Sequence, residues 1–200
     1  MKPKTKNIIL KLIGIFLVAY WLFAIGSGIY FNRPDLIFWF CYLAMILIAI
    51  GCFTKDGSLI ASQINLTAGF LIFWLIDFFY QFITKNTLWG ITDYFFEQGW
   101  TIPRIVSLEH FFLLPLSLYA LYLVKLKSKD FYKISIFQAT LVFIILRVFN
   151  ISEFNVNCAF HSCVSFIPNQ PSVILNWFIV FFSSIAIISY LLVRGFYEKS

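Results

Sequence analysis

LIASQINLTAGFLIFWLIDFFYQFIT, running from Leu59 to Thr84, contains no Lys or Arg and a single acid, Asp77. At 1.5 Å rise per residue it is longer than the ~20 residues a helix needs to cross a hydrocarbon core. An ionisable side chain inside such a segment is costly, so it marks a functional position by default. One stretch therefore predicts both a membrane-spanning helix and a place to look for a site.

Five more apolar segments of spanning length flank it, at about 7–31, 35–53, 104–125, 131–151 and 172–196. Composition agrees. The chain has 200 residues, 61% hydrophobic and 12% charged, well below the quarter of charged residues usual in soluble domains. Mean hydropathy is +0.88. No linker, repeat or low-complexity tract divides the chain. The expectation is one all-α integral membrane domain over residues 1–200, a polytopic six-helix transmembrane bundle. Lys2, Lys4 and Lys6 precede the first segment, but its apolar run exceeds a signal h-region and no small-x-small cleavage site follows. It reads as a retained helix.

Basic residues set the expected topology. Lys2, Lys4, Lys6, Lys11, Lys55, Lys125, Lys127, Lys129, Lys133, Arg194 and Lys199 fall on one side of a six-helix meander. Arg33, Lys85 and Arg104 mark the other. The positive-inside rule then predicts a multi-pass cell-membrane protein with both termini cytoplasmic and long outer loops at about 85–103 and 152–171. The net charge of +6 sits in short inter-helix segments rather than on a polar surface, which argues against nucleic acid. Membrane lipid is the expected partner. Trp89 and Trp100 suit an interfacial position, and Leu88–Phe96 a short amphipathic helix. Asn32-Arg33-Pro34 reads as a turn, with Asp35 placed to cap the second helix. Pro115 should kink the fourth helix, and Pro168 and Pro171 bracket the start of the last.

Depth brings several polar groups together. Counting helical rise from the outer ends, Asp77 lies about 10 Å in, His110 and Cys41 about 9 Å, and Arg147 about 6 Å. Two readings follow. In one, Asp77 pairs with Arg147, His110 bridges them, and the network fixes helix packing. In the other, an outward-facing polar cavity uses His110 as acid, base or ligand, with Asp77 orienting it. Glu109 adjoins His110 but points about 100° away on an ideal helix. Ser107 shares the His110 face, yet no G-x-S-x-G turn presents it as a nucleophile. Gln63 and Asn65 lie in the inner half of their helix and read as helix–helix hydrogen bonds.

The loop after the fifth helix adds Asn155, Asn157, Cys158, His161 and Cys163. Asn155 and Asn157 are expected to fold back over the outer mouth toward His110 and Asp77, with Val156 anchoring the segment against apolar helix ends. The C-x-x-H-x-C run carries two readings. A Cys158–Cys163 disulfide suits an oxidising outer face and is preferred. A zinc site completed by His110 or Asp77 is the alternative.

Trp39-Phe40-Cys41, Phe73-Trp74-Leu75-Ile76-Asp77-Phe78, Ser107-Leu108-Glu109-His110 with Leu114-Pro115, and Asn155-Val156-Asn157 follow one another in an order that is more specific than any one of them. Over about residues 35–157 the chain resembles a group of small bacterial and archaeal multi-pass membrane proteins without an assigned function. In that group an acid is expected directly before the first Asn. Here Phe154 separates Glu153 from Asn155. The resemblance supports the location of the site and implies no reaction.

The polar groups therefore motivate three functions. The first is an intramembrane enzyme acting on a lipid or lipid-linked substrate, with His110 and Asp77 as candidate catalytic residues and Asn155, Asn157, Arg147 and Glu109 as candidate binding residues. The second is a small transporter. The third is a structural or assembly subunit whose polar cluster only fixes packing.

Overall fold

The computed structural model describes residues 2–96, 101–149, 151–153, 155–163 and 173–197, without the side chains of 34, 102 and 103. Trp100, Phe154, Pro168 and Pro171 lie outside the described residues. The helices are α1 (Pro3–Tyr30), α2 (Phe40–Thr54), α3 (Gly57–Thr84), α4 (Asp93–Phe96), α5 (Ile102–Val106), α6 (Glu109–Val124), α7 (Phe131–Val148) and α8 (Val173–Phe196). Two 3-10 turns, Pro34–Phe38 and Val156–Cys158, complete the regular structure.

Among the described residues, five helical stretches are long and apolar enough to cross a membrane: α1, α3, α5 with α6 from Arg104, α7 and α8. Large apolar side chains on their outer surfaces remain exposed, among them Leu12, Ile29, Ile83, Phe137 and Val148. An apolar exterior at that scale suits lipid as the surrounding solvent. The chain is a helical membrane protein.

α3 is the axis of the fold. It packs against α2, α6, α7 and α8, and it is the most buried of the long helices. That position explains why it tolerates polar residues. Gln63 Nε2 donates to Gln138 Oε1 on α7 at 2.8 Å, Asn65 Nδ2 donates to Ser135 Oγ at 3.1 Å, and the Ser135 hydroxyl donates back to the Ser62 carbonyl at 2.9 Å. Gln63 and Asn65 thus tie α3 to α7 as the sequence suggests. At the inner end, Asp56 caps α3 by accepting from the Ser58 and Leu59 amides. Gly57 there meets the Lys125 carbonyl so closely that a Cβ would collide, which joins the inner ends of α3 and α6.

The second helix departs from expectation. Residues 35–53 do not form one rod. Pro34–Phe38 is a 3-10 turn, Trp39 is extended at φ −68° and ψ 133°, and α2 begins at Phe40. Its 15 residues span about 22 Å, short of a full hydrocarbon core. Asp35 does not cap it. Its carboxylate takes a two-point contact from Arg33 Nε and Nη2 at 2.8 and 2.9 Å. The Phe40 amide instead donates to Asn157 Oδ1 at 3.0 Å, while Asn157 Nδ2 donates to the Phe38 carbonyl at 2.7 Å. One side-chain amide from the far loop satisfies both sides of the break.

The fourth helix is broken as well. α5 ends at Val106, Ser107 and Leu108 form a turn, and α6 restarts at Glu109. The Tyr20 hydroxyl on α1 reaches the Ile105 and Val106 carbonyls at 2.5 and 3.1 Å, which ties α1 to the break. α4 is a single turn, shorter than the helix expected over Leu88–Phe96. Pro115 lies inside α6 without ending it.

The α3–α7 network makes a stability prediction. Ser135→Ala removes partners of both Asn65 and Ser62 and should lower stability by about 1 kcal/mol, the scale of interhelical hydrogen bonds in membranes. Ser184→Ala is the control, because the Ser184 hydroxyl has no hydrogen-bond partner among the described residues. Thermal unfolding in one detergent should shift for the first variant only; equal shifts would contradict the network.

Candidate functional site

A cavity of about 720 Å³ opens among α1, α2, α3, α6 and α8 and the loop at 156–163. Its walls are mostly apolar, with Phe70, Leu71, Trp74 and Phe181 prominent. Both helix breaks face it. The α2 break delivers Cys41 in the first turn of α2, and the α5–α6 break delivers Glu109 and His110 in the first turn of α6.

These three side chains meet. A Cys41 sulfur, a Glu109 carboxylate oxygen and a His110 nitrogen all lie within 4.8 Å of one another. Glu109 is 0% exposed, and the Cys41 thiol is a hydrogen-bonding neighbour of its carboxylate. His110 Nδ1 approaches Glu109 Oε1 at 3.3 Å but lies closer, at 2.8 Å, to the Ser107 carbonyl. That acceptor favours a proton on Nδ1 and leaves the ring's lone pair on Nε2. Trp74 stacks on the imidazole, centroids 4.5 Å apart and planes 19° from parallel, and so fixes the ring plane.

A second tier positions the first. The Trp74 indole donates to the Tyr94 hydroxyl at 3.2 Å, and Tyr94 donates to Ser107 Oγ at 2.9 Å. Burial pushes the Tyr94 phenol up to about 12, which keeps it a neutral donor. Arg104 Nε holds the Tyr94 carbonyl at 3.0 Å. Ser107 is thus a link in a chain of supports, in line with the absence of a nucleophile turn.

Asp77 has a different task from the one its depth suggested. Oδ1 accepts from the Trp89 amide at 2.7 Å, and Oδ2 accepts from the Thr92 amide and hydroxyl, each at 2.8 Å. The carboxylate folds the segment 85–92 back over the end of α3. Among the described residues, no hydrogen bond or ion pair joins Asp77 to His110 or Arg147. Arg147 lies instead over the Phe143 and Phe160 rings, at 5.5 and 4.7 Å from their centroids, with Nε and Nη2 lacking hydrogen-bond partners. The expected Asp77–His110–Arg147 network is replaced by Cys41–Glu109–His110.

The loop after α7 carries the disulfide the sequence preferred and gives its two asparagines separate tasks. Cys158 and Cys163 are disulfide-bonded, their Cα atoms 5.5 Å apart. His161 is exposed and joins no group of metal-ligand spacing among the described residues. Asn155 turns inward on its own loop: Oδ1 accepts from the Phe160 and His161 amides and Nδ2 donates to the His161 carbonyl. It does not reach toward His110. Asn157 does line the cavity, through the break in the second helix. Val156 is fully buried among α7 and α8 side chains, as expected of an anchor. Asn155, Asn157 and Cys158 all have positive φ, at 44°, 52° and 57°. Asn tolerates that conformation best among side-chain-bearing residues.

The sequence offered Glu109 as a candidate binding residue beside His110 and placed Cys41 by depth, without bringing the three together. The missing signal was the pair of helix breaks, which sets both residues on a common wall. Fold and site together define an integral membrane protein with a largely apolar cavity and a thiol–carboxylate–imidazole cluster on its wall. No protein-family model, curated protein or solved structure matches this chain.

Asp77→Ala should strip the Trp89 and Thr92 amides of their acceptor, while the Thr92 hydroxyl keeps Gln81 Oε1 at 3.1 Å, and cost about 2 kcal/mol, since hydrogen bonds to a charged acceptor contribute most. The expected result is lower folded yield and faster proteolysis near residues 85–92, read by limited digestion. Wild-type resistance there would mean that the segment is held by other contacts.

Proposed function

We propose that this protein is a multi-pass cell-membrane protein with cytoplasmic termini, and that its outward cavity binds a lipid or lipid-linked molecule and acts on it. The observation that carries the reading is the fully buried Glu109 carboxylate beside His110 on the wall of a large apolar cavity. The volume falls within the ~300–1,000 Å³ typical of small-molecule sites. Apolar walls suit acyl or isoprenoid chains, and a few polar groups at one level suit the head at which chemistry occurs. His110 is the proposed acid–base group, oriented by the Ser107 carbonyl and the Trp74 ring. Glu109 is its charge partner or the second proton carrier.

The orientation rests on the cations at the inner ends of the helices. The short α2 completes a sixth span when the 3-10 turn at Pro34–Phe38 is added to it. Discontinuous helices that aim their N-terminal ends at a site also occur in transporters, so transport is the second reading. Against a conduit, the inner half is filled by fully buried Leu10, Met45, Ile48, Ile60 and Leu121.

Two experiments test these claims. A cysteine introduced at Asn86 should react with an impermeant reagent on intact cells, and one at Lys127 only after permeabilisation. The reverse pattern would invert the topology. Native mass spectrometry of protein released from mild detergent should show retained lipid, and Val180→Trp, which fills the cavity wall, should lose most of it. Lipid profiles of membranes carrying wild type should differ from those carrying His110→Ala. No lipid on the wild type, or lipid equally held by Val180→Trp, would overturn the reading.

A further inference from the structure

We propose that Cys41, Glu109 and His110 bind one divalent transition-metal ion, best matched by zinc, with one coordination position open to the cavity. The ion adds to the site described above: once it is bound, His110 and Glu109 serve as its ligands rather than as acid–base groups, and the lipid reading bears only on what would occupy the open position.

Glu109 is fully buried, and its carboxylate lies against the Cys41 thiol and the His110 ring. A carboxylate so placed is stable as a neutral acid or beside a cation, and a bound cation would also engage the thiol and the imidazole that share its wall. The nearest cationic candidate is His110, whose Nδ1 proton goes to the Ser107 carbonyl. The imidazole therefore offers a lone pair rather than a charge. Metal-bound histidines commonly have the other ring nitrogen held in this way by a carbonyl, which fixes the tautomer and the ring. Here Trp74 adds a stacked wall against the ring face.

The donor set is specific. A thiol, an imidazole and a carboxylate within 4.8 Å of one another combine soft, borderline and hard ligands. Tetrahedral zinc with sulfur at ~2.3 Å and nitrogen or oxygen at ~2.0 Å places its ligands about 3.3–3.8 Å apart. The observed cluster reaches that spacing by side-chain movement of about 1 Å, within rotamer adjustment. Three protein ligands with an open fourth position form the pattern of catalytic rather than structural zinc sites. Binding would displace the thiol proton, and the carboxyl proton if present, to solvent, so that a divalent ion is held by two anionic ligands and one neutral one. The open position faces an apolar space, where a metal could polarise the carbonyl or phosphoryl oxygen of a lipid head.

The test is metal content and affinity in full-length protein purified without chelator or reductant. Wild type should carry about one zinc per chain by elemental analysis, or take up one on titration. Cobalt in its place should give a thiolate-to-metal charge-transfer band. Cys41→Ser should abolish that band, and His110→Ala and Glu109→Gln should each weaken zinc binding at least about tenfold. Cys52→Ser, which alters a free buried cysteine remote from the cavity, should leave affinity and band unchanged. If a ligand variant fails to fold, the readout is wild type alone: chelation should lower its melting temperature and zinc should restore it. Folded wild type that binds no zinc or cobalt overturns the proposal, as does unchanged affinity in Cys41→Ser and His110→Ala. Lipid retained by metal-free wild type would then leave the lipid reading standing, whereas loss of both would remove it too.

Discussion

One buried side-chain amide holds the cavity end of this protein together. Asn157 accepts from the Phe40 N–H and donates to the Phe38 carbonyl, and its own carbonyl accepts from the Trp177 indole at 2.9 Å. Backbone groups exposed in hydrocarbon cost several kcal/mol each, so a helix can break at membrane depth only where protein groups or a cavity satisfy the freed atoms. Asn157 supplies that satisfaction. Its left-handed backbone aims the amide across the break, and the Cys158–Cys163 disulfide closes the loop that carries it. Without the clamp, α2 would continue upward from Phe40 and occupy the space that is now the cavity.

The second break completes the arrangement. At the α5–α6 turn the chain restarts with Glu109 and His110 in the first helical turn, where the helix dipole favours an anion. Cys41 occupies the matching place in α2. Two helix N-termini thus converge on one level, carrying an acid, an imidazole and a thiol. Trp74, Tyr94, Ser107 and Arg104 then lock the imidazole through one stack and a run of hydrogen bonds. The rigid axis, α3, supplies Trp74 from one face and uses Asp77, three residues on, to secure the loop that carries Tyr94.

Much of the architecture was legible because length and apolar content determine membrane helices directly. The cost of ionisable groups in lipid also located the right layer. What escaped was local. Nothing at Trp39 marks a helix break, since neither Gly nor Pro stands there, and its cause lies 117 residues away in sequence. Asp77 and Arg147 were correctly identified as unusual, but depth alone does not say which neighbour a carboxylate faces. Asp77 turned to its own following loop and Arg147 to aromatic rings. Glu109 and His110 were set apart by ideal helical geometry, which does not hold where a helix begins. The Asn-rich loop drew notice for its hydrogen-bonding capacity, whereas its backbone conformation gives Asn155 and Asn157 separate tasks.

The most direct test is hydrogen exchange at the Phe40 amide of protein in lipid nanodiscs. The account predicts that this single N–H, at the start of a helix where amides normally exchange freely, is protected. In Asn157→Ala it should exchange at least about tenfold faster while the middle of α3 is unchanged. Fast exchange at Phe40 in the wild type, or protection that survives Asn157→Ala, would contradict the clamp and the cavity built upon it.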